Sequence, residues 1–296
     1  MPLLTEFEPG WWGTAFSSYA VLHLMAFASW PWFTRLFSSM PDRGAGLVMA
    51  GGVLVYSLAS QLLWRIGFFE IHFVWAVSLT IGIGISGWKF WIRPPAYSRG
   101  TRERMRKAFL SGWLVFSVLF WYWASIRSAD PGVYHSEQPM DVMWMGSALA
   151  SEHPPLQDAW LGGQPATYYA DGQQLLAFLG LHLGLPLQKS VNITQIIWFA
   201  LTGLLAFQAG KFFHEMKHKS GGFWAGLLTV LLVCFFSTPP GLEHAVHRKG
   251  WWWWWDASRV ITDGEHPLIT EFPFFSFWLG DNHAHLIGNT FQRYFG

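Results

Sequence analysis

Six apolar segments, each long enough to cross a lipid bilayer as a helix, constrain this chain more than any other feature. A spanning helix needs about 20 mostly apolar residues, and backbone groups surrounded by lipid must bond to one another, which only helices and closed barrels achieve. The segments are residues 11–33, 44–64, 68–90, 108–126, 191–213 and 221–237. We therefore predict an all-α integral membrane protein with about six transmembrane helices.

The composition agrees with this class. Charged residues make up 12% of the 296 residues, whereas soluble proteins carry about 25%. The net charge of +1 provides no electrostatic basis for binding nucleic acid, so membrane lipids are the expected surroundings. The N-terminal ten residues contain Glu6 and Glu8 but no Lys or Arg, which predicts no cleaved signal peptide.

A further apolar run, residues 175–187, is shorter than a spanning helix and ends in Gly184-Leu185-Pro186. Its length predicts an interfacial or re-entrant helix. A seventh crossing is the alternative.

Two basic segments predict the orientation of the helices. By the positive-inside rule, loops rich in Lys and Arg face the cytoplasm. With six crossings, this places the N-terminus and the polar segments outside a cytoplasmic (inner) membrane. The basic residues are Lys89, Arg93, Arg99, Arg102, Arg104, Arg106 and Lys107 in one segment and Lys211, Lys217 and Lys219 in the other.

The chain divides into two regions by polar content. Residues 1–107 form an N-terminal three-helix membrane region with short loops. Residues 108–296 carry two polar islands, residues 138–174 and 270–285, which concentrate carboxylates and imidazoles. Any chemistry is therefore expected at the membrane surface, in the second region.

Asp141 lies in the first island, just before Val142-Met143-Trp144. A partly desolvated carboxylate at the mouth of a helical cavity can act as a general base towards an acceptor hydroxyl or bind a divalent cation. The alternative is a helix N-cap, a position that Asp favours.

The second island contains Asp281-Asn282-His283-Ala284-His285. On a helix, Asp281 and His285 would share a face, and on a strand Asp281, His283 and His285 would do so. Either arrangement provides two or three metal ligands or a grip on phosphate. A polar interfacial turn is the alternative.

Other polar residues of the islands are candidates for substrate binding. Tyr168, Tyr169 and Asp171 offer hydroxyls and a carboxylate for a sugar or a phosphate, and Glu271 is expected on the same outer face as Asp281. Arg259 can pair with a phosphate or with Asp256.

Three histidines and a tryptophan run have both structural and functional interpretations. His23, His72 and His182 lie in or beside apolar segments; each can ligate a pigment metal, but a hydrogen-bonded core histidine is the preferred interpretation. Residues 251–255 are all Trp, which predicts an interfacial aromatic belt rather than a surface that stacks sugars or pigments.

Across both islands the sequence resembles the DUF2298 group, multi-pass membrane proteins named for a Tyr-Tyr-Tyr motif and assigned to the GT-C class of membrane glycosyltransferases. The resemblance is ordered and covers residues 127 to 291. The matching motifs are residues 139–141, 154–155, 158–163, 168–169, 255–261, 270–275 and 281–285.

The resemblance implies a transferase that uses a polyprenyl-phosphate-linked sugar. Asp141 would take the position of the first-loop acidic residue near the acceptor or a metal, and Glu271 would be a further acidic candidate. Asp281, His283 and His285 would face the donor phosphate or a divalent metal ion. Residues 108–126 would be the first helix of a partial GT-C-like bundle.

Family members continue through further helices beyond the last shared motif, so the chain is expected to provide a shortened bundle. Two functions are consistent with this. One is a GT-C-type glycosyltransferase, and the other is a non-catalytic structural subunit of a larger membrane complex, such as a respiratory or photosynthetic pigment-protein assembly. A transporter is disfavoured because the segments carry few intramembrane charges and show no inverted repeat.

Overall fold

In the part of the chain that the structure describes, the regular secondary structure is helical. The computed structural model describes residues 10–67, 73–90, 97–151, 154–167, 170–218, 221–236, 239, 243, 247, 253–259, 261, 268–283 and 286–288. Within them, two isolated β-bridges join Gln157 to Pro165 and Ile261 to Leu268.

Ten α-helices lie within these residues. A short 3-10 turn, Ala45–Leu47, leads into the second helix, and a π-helical turn, Leu232–Phe236, follows the eighth. The helices are α1 (Trp11–Leu36), α2 (Val48–Arg65), α3 (Phe73–Phe90), α4 (Arg99–Ala129), α5 (Gln138–Ala150), α6 (Asp171–His182), α7 (Leu187–His218), α8 (Phe223–Leu231), α9 (Trp253–Ala257) and α10 (Pro273–Leu279).

The protein is an all-α integral membrane protein. Each of the six apolar segments overlaps a helix. Three stretches of the described chain are long and apolar enough to cross a membrane, namely Ala45–Arg65, Arg99–Ala129 and Leu187–His218. Helix α8 with its π-helical turn is a shorter apolar element, and the number of six crossings stays a prediction.

Helix α7 lies at the centre of the bundle, and α4 runs antiparallel to it. At one end of the pair Arg127 bonds to Asn192, and Trp123 stacks on Phe199 with ring centroids 4.2 Å apart. Towards the other end a Cβ at Gly112 of α4 would lie 3.0 Å from Gln208 Nε2 of α7. Gln208 also donates to the carbonyl of Gly46 at 3.0 Å. Every residue in the most apolar window of α7 is buried, so other helices, not lipid, surround it.

This antiparallel pairing separates the basic segments from the polar islands. The basic N-terminal turns of α4 and the C-terminal turn of α7, which carries Lys217, lie at one end of the bundle. Arg127 and Asn192 mark the opposite end. The two segments predicted to face the cytoplasm therefore share one end, and the polar islands lie at the other.

Helix α6 has 12 residues, which at 1.5 Å per residue span about 18 Å and cannot cross a membrane. It is buried on every side from Gln173 to Gly180, and the chain turns at Gly184 (φ 68°) before α7. The short helix predicted for residues 175–187 is thus present. The burial of residues 173–180 is typical of a re-entrant element inside the bundle rather than a helix lying on lipid.

Candidate functional site

The two polar islands meet where the first turn of α5 docks against the chain that follows α10. The backbone N–H of Asn282 donates to Asp141 Oδ2 at 2.7 Å, and the N–H of Glu137 donates to Asp281 Oδ1 at 3.1 Å. Gln138 Nε2 donates to the Leu279 carbonyl at 3.0 Å. Residues about 140 positions apart in the sequence thereby form one cluster.

Asp141 is enclosed in this cluster, with 1% of the residue exposed. Its second oxygen, Oδ1, accepts from Gln173 Nε2 at 3.2 Å. Burial raises the pKa of Asp141 to about 6, although the N–H groups of Asn282 and Gln173 act in the opposite direction. Glu137 holds the N-cap position of α5, so the N-cap alternative for Asp141 is wrong.

The geometry of residues 281–283 depends on how α10 ends. Gly280 has φ 84°, a left-handed conformation that suits glycine. A Cβ atom there would overlap Gln138 Nε2 and lie 3.2 Å from Arg127 Nη1. Glycine thus lets the chain turn sharply between two buried side chains and direct Asp281 at the start of α5.

Asp281 is fully buried, and burial raises the pKa of its carboxyl group. A hydrogen bond from Ser136, the nearby His283 and the N–H of Glu137 favour the charged form. Residues 281–283 form neither a helix nor a strand, so the predicted regular structure is absent over these residues. Asp281 Oδ2 and His283 Nε2 nevertheless lie 3.7 Å apart.

His283 lies among three carboxylates. Its Nδ1 is 3.4 Å from Glu137 Oε2, and its Nε2 is 3.4 Å from Glu271 Oε2 and 3.7 Å from Asp281 Oδ2. The side chains of His283 and Glu271 are 15% and 25% exposed, and that of Glu137 is half exposed. This side of the cluster is therefore open to a ligand, whereas Asp141 and Asp281 are closed off.

The described residues do not supply the complete ligand set predicted for a divalent metal, and the metal stays a prediction. Among the described residues no group of three or more His, Cys, Asp and Glu is arranged to hold a metal ion. N–H donors bind both oxygens of Asp141 and one oxygen of Asp281. His285, the third predicted ligand, lies outside the described residues.

Arg259 lies close to the cluster along the chain that leads into α10. Thr270 bonds to the Ser258 carbonyl through its N–H at 2.8 Å and through its hydroxyl at 3.1 Å, which sets Arg259 beside the segment containing Glu271. The guanidinium carbon lies 3.4 Å from the centroid of the Trp255 ring. The sequence predicted a phosphate or Asp256 as the partner of Arg259. The backbone N–H of Arg259 donates to the backbone carbonyl of Asp256 at 3.1 Å.

The sequence did not single out three residues at this end of the bundle, namely Arg127, Asn192 and Gln173. Arg127 is buried and donates through Nε and Nη2 to Asn192 Oδ1 at 3.0 and 2.7 Å, and Asn192 Nδ2 donates to the Pro131 carbonyl at 2.8 Å. Gln173 joins Asp141 to the Asn282 carbonyl. The available signal was a polar residue inside or beside an apolar segment, where burial requires a hydrogen-bond partner.

No contact among the described residues connects the remaining substrate-binding candidates to the cluster. The Asp171 carboxylate forms an exposed ion pair with Arg65 at 3.1 Å. Tyr168 and Tyr169 lie outside the described residues, and their role stays a prediction.

The described histidines of the apolar segments contact the protein through both ring nitrogens. His23 Nε2 accepts from Trp113 Nε1 at 2.9 Å, so Nδ1 carries the proton and donates to the Tyr19 carbonyl at 2.7 Å. His182 contacts the Phe178 carbonyl and Ser60. These are the contacts of hydrogen-bonded core histidines; His72 lies outside the described residues.

Fold and site together define a class: an all-α integral membrane protein with a buried carboxylate cluster at one end of its helix bundle. A family model described as "Uncharacterized membrane protein (DUF2298)" matches residues 52–295, and the chain belongs to this family. No curated protein and no solved structure matches the chain.

Proposed function

We propose that the protein is a membrane glycosyltransferase of the GT-C type that uses a polyprenyl-phosphate-linked sugar. The observation that carries the proposal is the contact of His283 with Glu137 and Glu271 at one end of a membrane bundle. The carboxylate of Glu271 and the imidazole of His283 are partly exposed, and the buried carboxylates of Asp141 and Asp281 lie on the inner side of the cluster. Acid–base groups so placed suit proton removal from a hydroxyl.

In the proposed reaction, an acceptor hydroxyl oxygen attacks the anomeric carbon of the sugar. The bond between that carbon and the phosphate oxygen breaks, and polyprenyl phosphate leaves with the electron pair. The hydroxyl proton passes to Glu271, whose Oε2 lies 3.4 Å from His283 Nε2. Orienting one carboxylate in this way contributes about 10²- to 10⁴-fold to a rate.

Arg259 is proposed to bind the donor phosphate. Its guanidinium rests on the Trp255 ring, and an arginine oriented by stacking loses less freedom when it binds an anion. Asp141 and Asp281 then act as positioning residues, because their hydrogen bonds to Asn282 and Glu137 hold His283 in place. This assigns the base to Glu271 in preference to Asp141, which is too enclosed to meet an acceptor.

The first test is binding of polyprenyl phosphate to the protein in lipid nanodiscs, measured by native mass spectrometry. Arg259→Gln is expected to weaken binding roughly 10- to 150-fold, since a charge-assisted contact contributes roughly 1.5–3 kcal/mol. Arg102→Gln is the matched control, because Arg102 lies in the first turn of α4, at the end of the bundle opposite to the site. Equal binding by wild type and Arg259→Gln would remove Arg259 from the proposal.

The second test is release of polyprenyl phosphate from its sugar-linked form. Glu271→Gln is expected to lower the rate by about 100-fold or more, while Glu215→Gln near the basic end of α7 leaves it unchanged.

The alternative function, a structural subunit of a larger membrane complex, predicts no turnover, no lipid-phosphate binding and a stoichiometric partner in the same mass spectra.

A further inference from the structure

An exposed apolar tip stands on a well-anchored hairpin at the site end of the bundle. The hairpin, residues 156–166, carries Trp160 and Leu161 at its tip, and these are 74% and 65% exposed. Neither Gly162 nor Gly163 has an atom within 4 Å of where a Cβ would lie. The tip therefore stands clear of the other described residues.

The base of the hairpin is held firmly. The N–H of Ala166 donates to the Leu156 carbonyl at 2.7 Å, and the N–H of Asp158 donates to the Gln164 carbonyl at 2.9 Å. Ser147 in α5 donates through its hydroxyl to the Gln157 carbonyl, and the side chain of Leu156 packs against the main core. The hairpin is thus fixed to α5 and its tip has a defined position.

The tip itself is also ordered. Asp158 Oδ1 accepts from the N–H groups of Trp160 and Leu161 at 2.8 and 2.9 Å. These bonds occupy the one charged side chain of the hairpin, and residues 159–167 carry no charge. A rigid loop that exposes Trp and Leu to water carries an unfavourable free energy of several kcal/mol, at roughly 1.5–3 kcal/mol for each such side chain.

The hairpin adjoins the lipid-facing surface of the bundle. Trp64 Nε1, in the last turn of α2, donates to the carbonyl of Ser151 at 2.9 Å, just before the hairpin. The outward face of the same part of α2 is apolar and exposed, with Leu62 at 60% and Leu58 and Ile66 beside it. The exposed apolar surface therefore continues from a membrane helix to the hairpin.

We propose that Trp160 and Leu161 insert into the lipid interface of the bilayer and anchor the site end of the bundle at a set depth. Trp favours the lipid–water interface because its ring is apolar while its N–H stays hydrated. The side chains of residues 159–163 are uncharged, and the neighbouring Asp158 carboxylate is hydrogen-bonded to the backbone of the tip, which suits a position at the interface rather than in the hydrocarbon core. The membrane occupies this surface, not a soluble partner, because the tip extends the exposed apolar face of a helix that is long and apolar enough to cross a bilayer.

The test measures the depth of the tip with a fluorescent label. In a Cys234→Ala background, Leu161→Cys is labelled with an environment-sensitive dye, and the protein is placed in nanodiscs with or without spin-labelled lipid. Leu62→Cys is the lipid-exposed control and Arg102→Cys the water-exposed control. Size-exclusion chromatography checks that each variant is folded.

Insertion predicts that spin-labelled lipid reduces emission at position 161 by the same fraction as at position 62, and that it leaves emission at position 102 unchanged. Quenching at position 161 by aqueous iodide, as at position 102, would overturn the proposal. Protection from both quenchers would also overturn it, because the tip would then be covered by protein. None of these outcomes depends on transferase activity.

Discussion

At the scale of single residues, the cluster is built from carboxylates whose environments differ. Asp141 and Asp281 are buried and bound by N–H donors, whereas Glu271 and Glu137 reach the open side next to His283. The sequence singled out Asp141, Glu271, Asp281 and His283, but it could not tell a positioning carboxylate from an accessible one. That difference depends on burial, which the tertiary packing sets.

The pKa of Asp141 predicts how stability depends on pH. Its folded value, about 6, lies above its usual value of 3.8. The folded protein thus binds this proton more tightly than the unfolded chain, and the stability gained is full below about pH 4 and lost as the pH rises through about 6. A shift of this size corresponds to about 3 kcal/mol.

We expect the free energy of unfolding in nanodiscs to be higher near pH 4 than near pH 7.5, and Asp141→Asn to remove a large part of this dependence. Asp281, whose pKa is also raised, accounts for a residual dependence of the same sign. Asp256→Asn, at an exposed position, should behave as wild type. A pH dependence unchanged in Asp141→Asn would contradict the interpretation.

At the scale of secondary-structure elements, the end of α10 decides the geometry of the site. Gly280→Ala places a Cβ in a left-handed conformation and against Gln138 Nε2. We expect a loss of about 2–5 kcal/mol, from roughly 1–2 kcal/mol of backbone strain and 1–3 kcal/mol of overpacking. Thermal unfolding in nanodiscs measures it.

Gly162→Ala is the matched control for this substitution, since its Cβ would meet no neighbouring atom. It should change stability by less than about 0.5 kcal/mol. Similar stabilities for the two variants would show that the turn at Gly280 is not under the constraint described.

At the scale of the whole molecule, the antiparallel packing of α4 and α7 gathers the basic segments at one end and the carboxylate cluster at the other. The positive-inside rule then predicts that the basic end faces the cytoplasm. In a Cys234→Ala background, we expect a membrane-impermeant maleimide to label Tyr134→Cys on intact cells. Arg102→Cys should react only after permeabilisation, and the reverse pattern would invert the topology.

The sequence by itself determined that this is an all-α membrane protein of the DUF2298 family, because apolar segments of spanning length and ordered motifs are local properties of the chain. It also predicted the short helix α6, since length alone limits what can cross lipid. Only the tertiary structure joined Asp141 to Asn282 and surrounded His283 with carboxylates. Such contacts depend on how helices pack and where Gly280 turns the chain, and neither leaves a periodic pattern in the sequence.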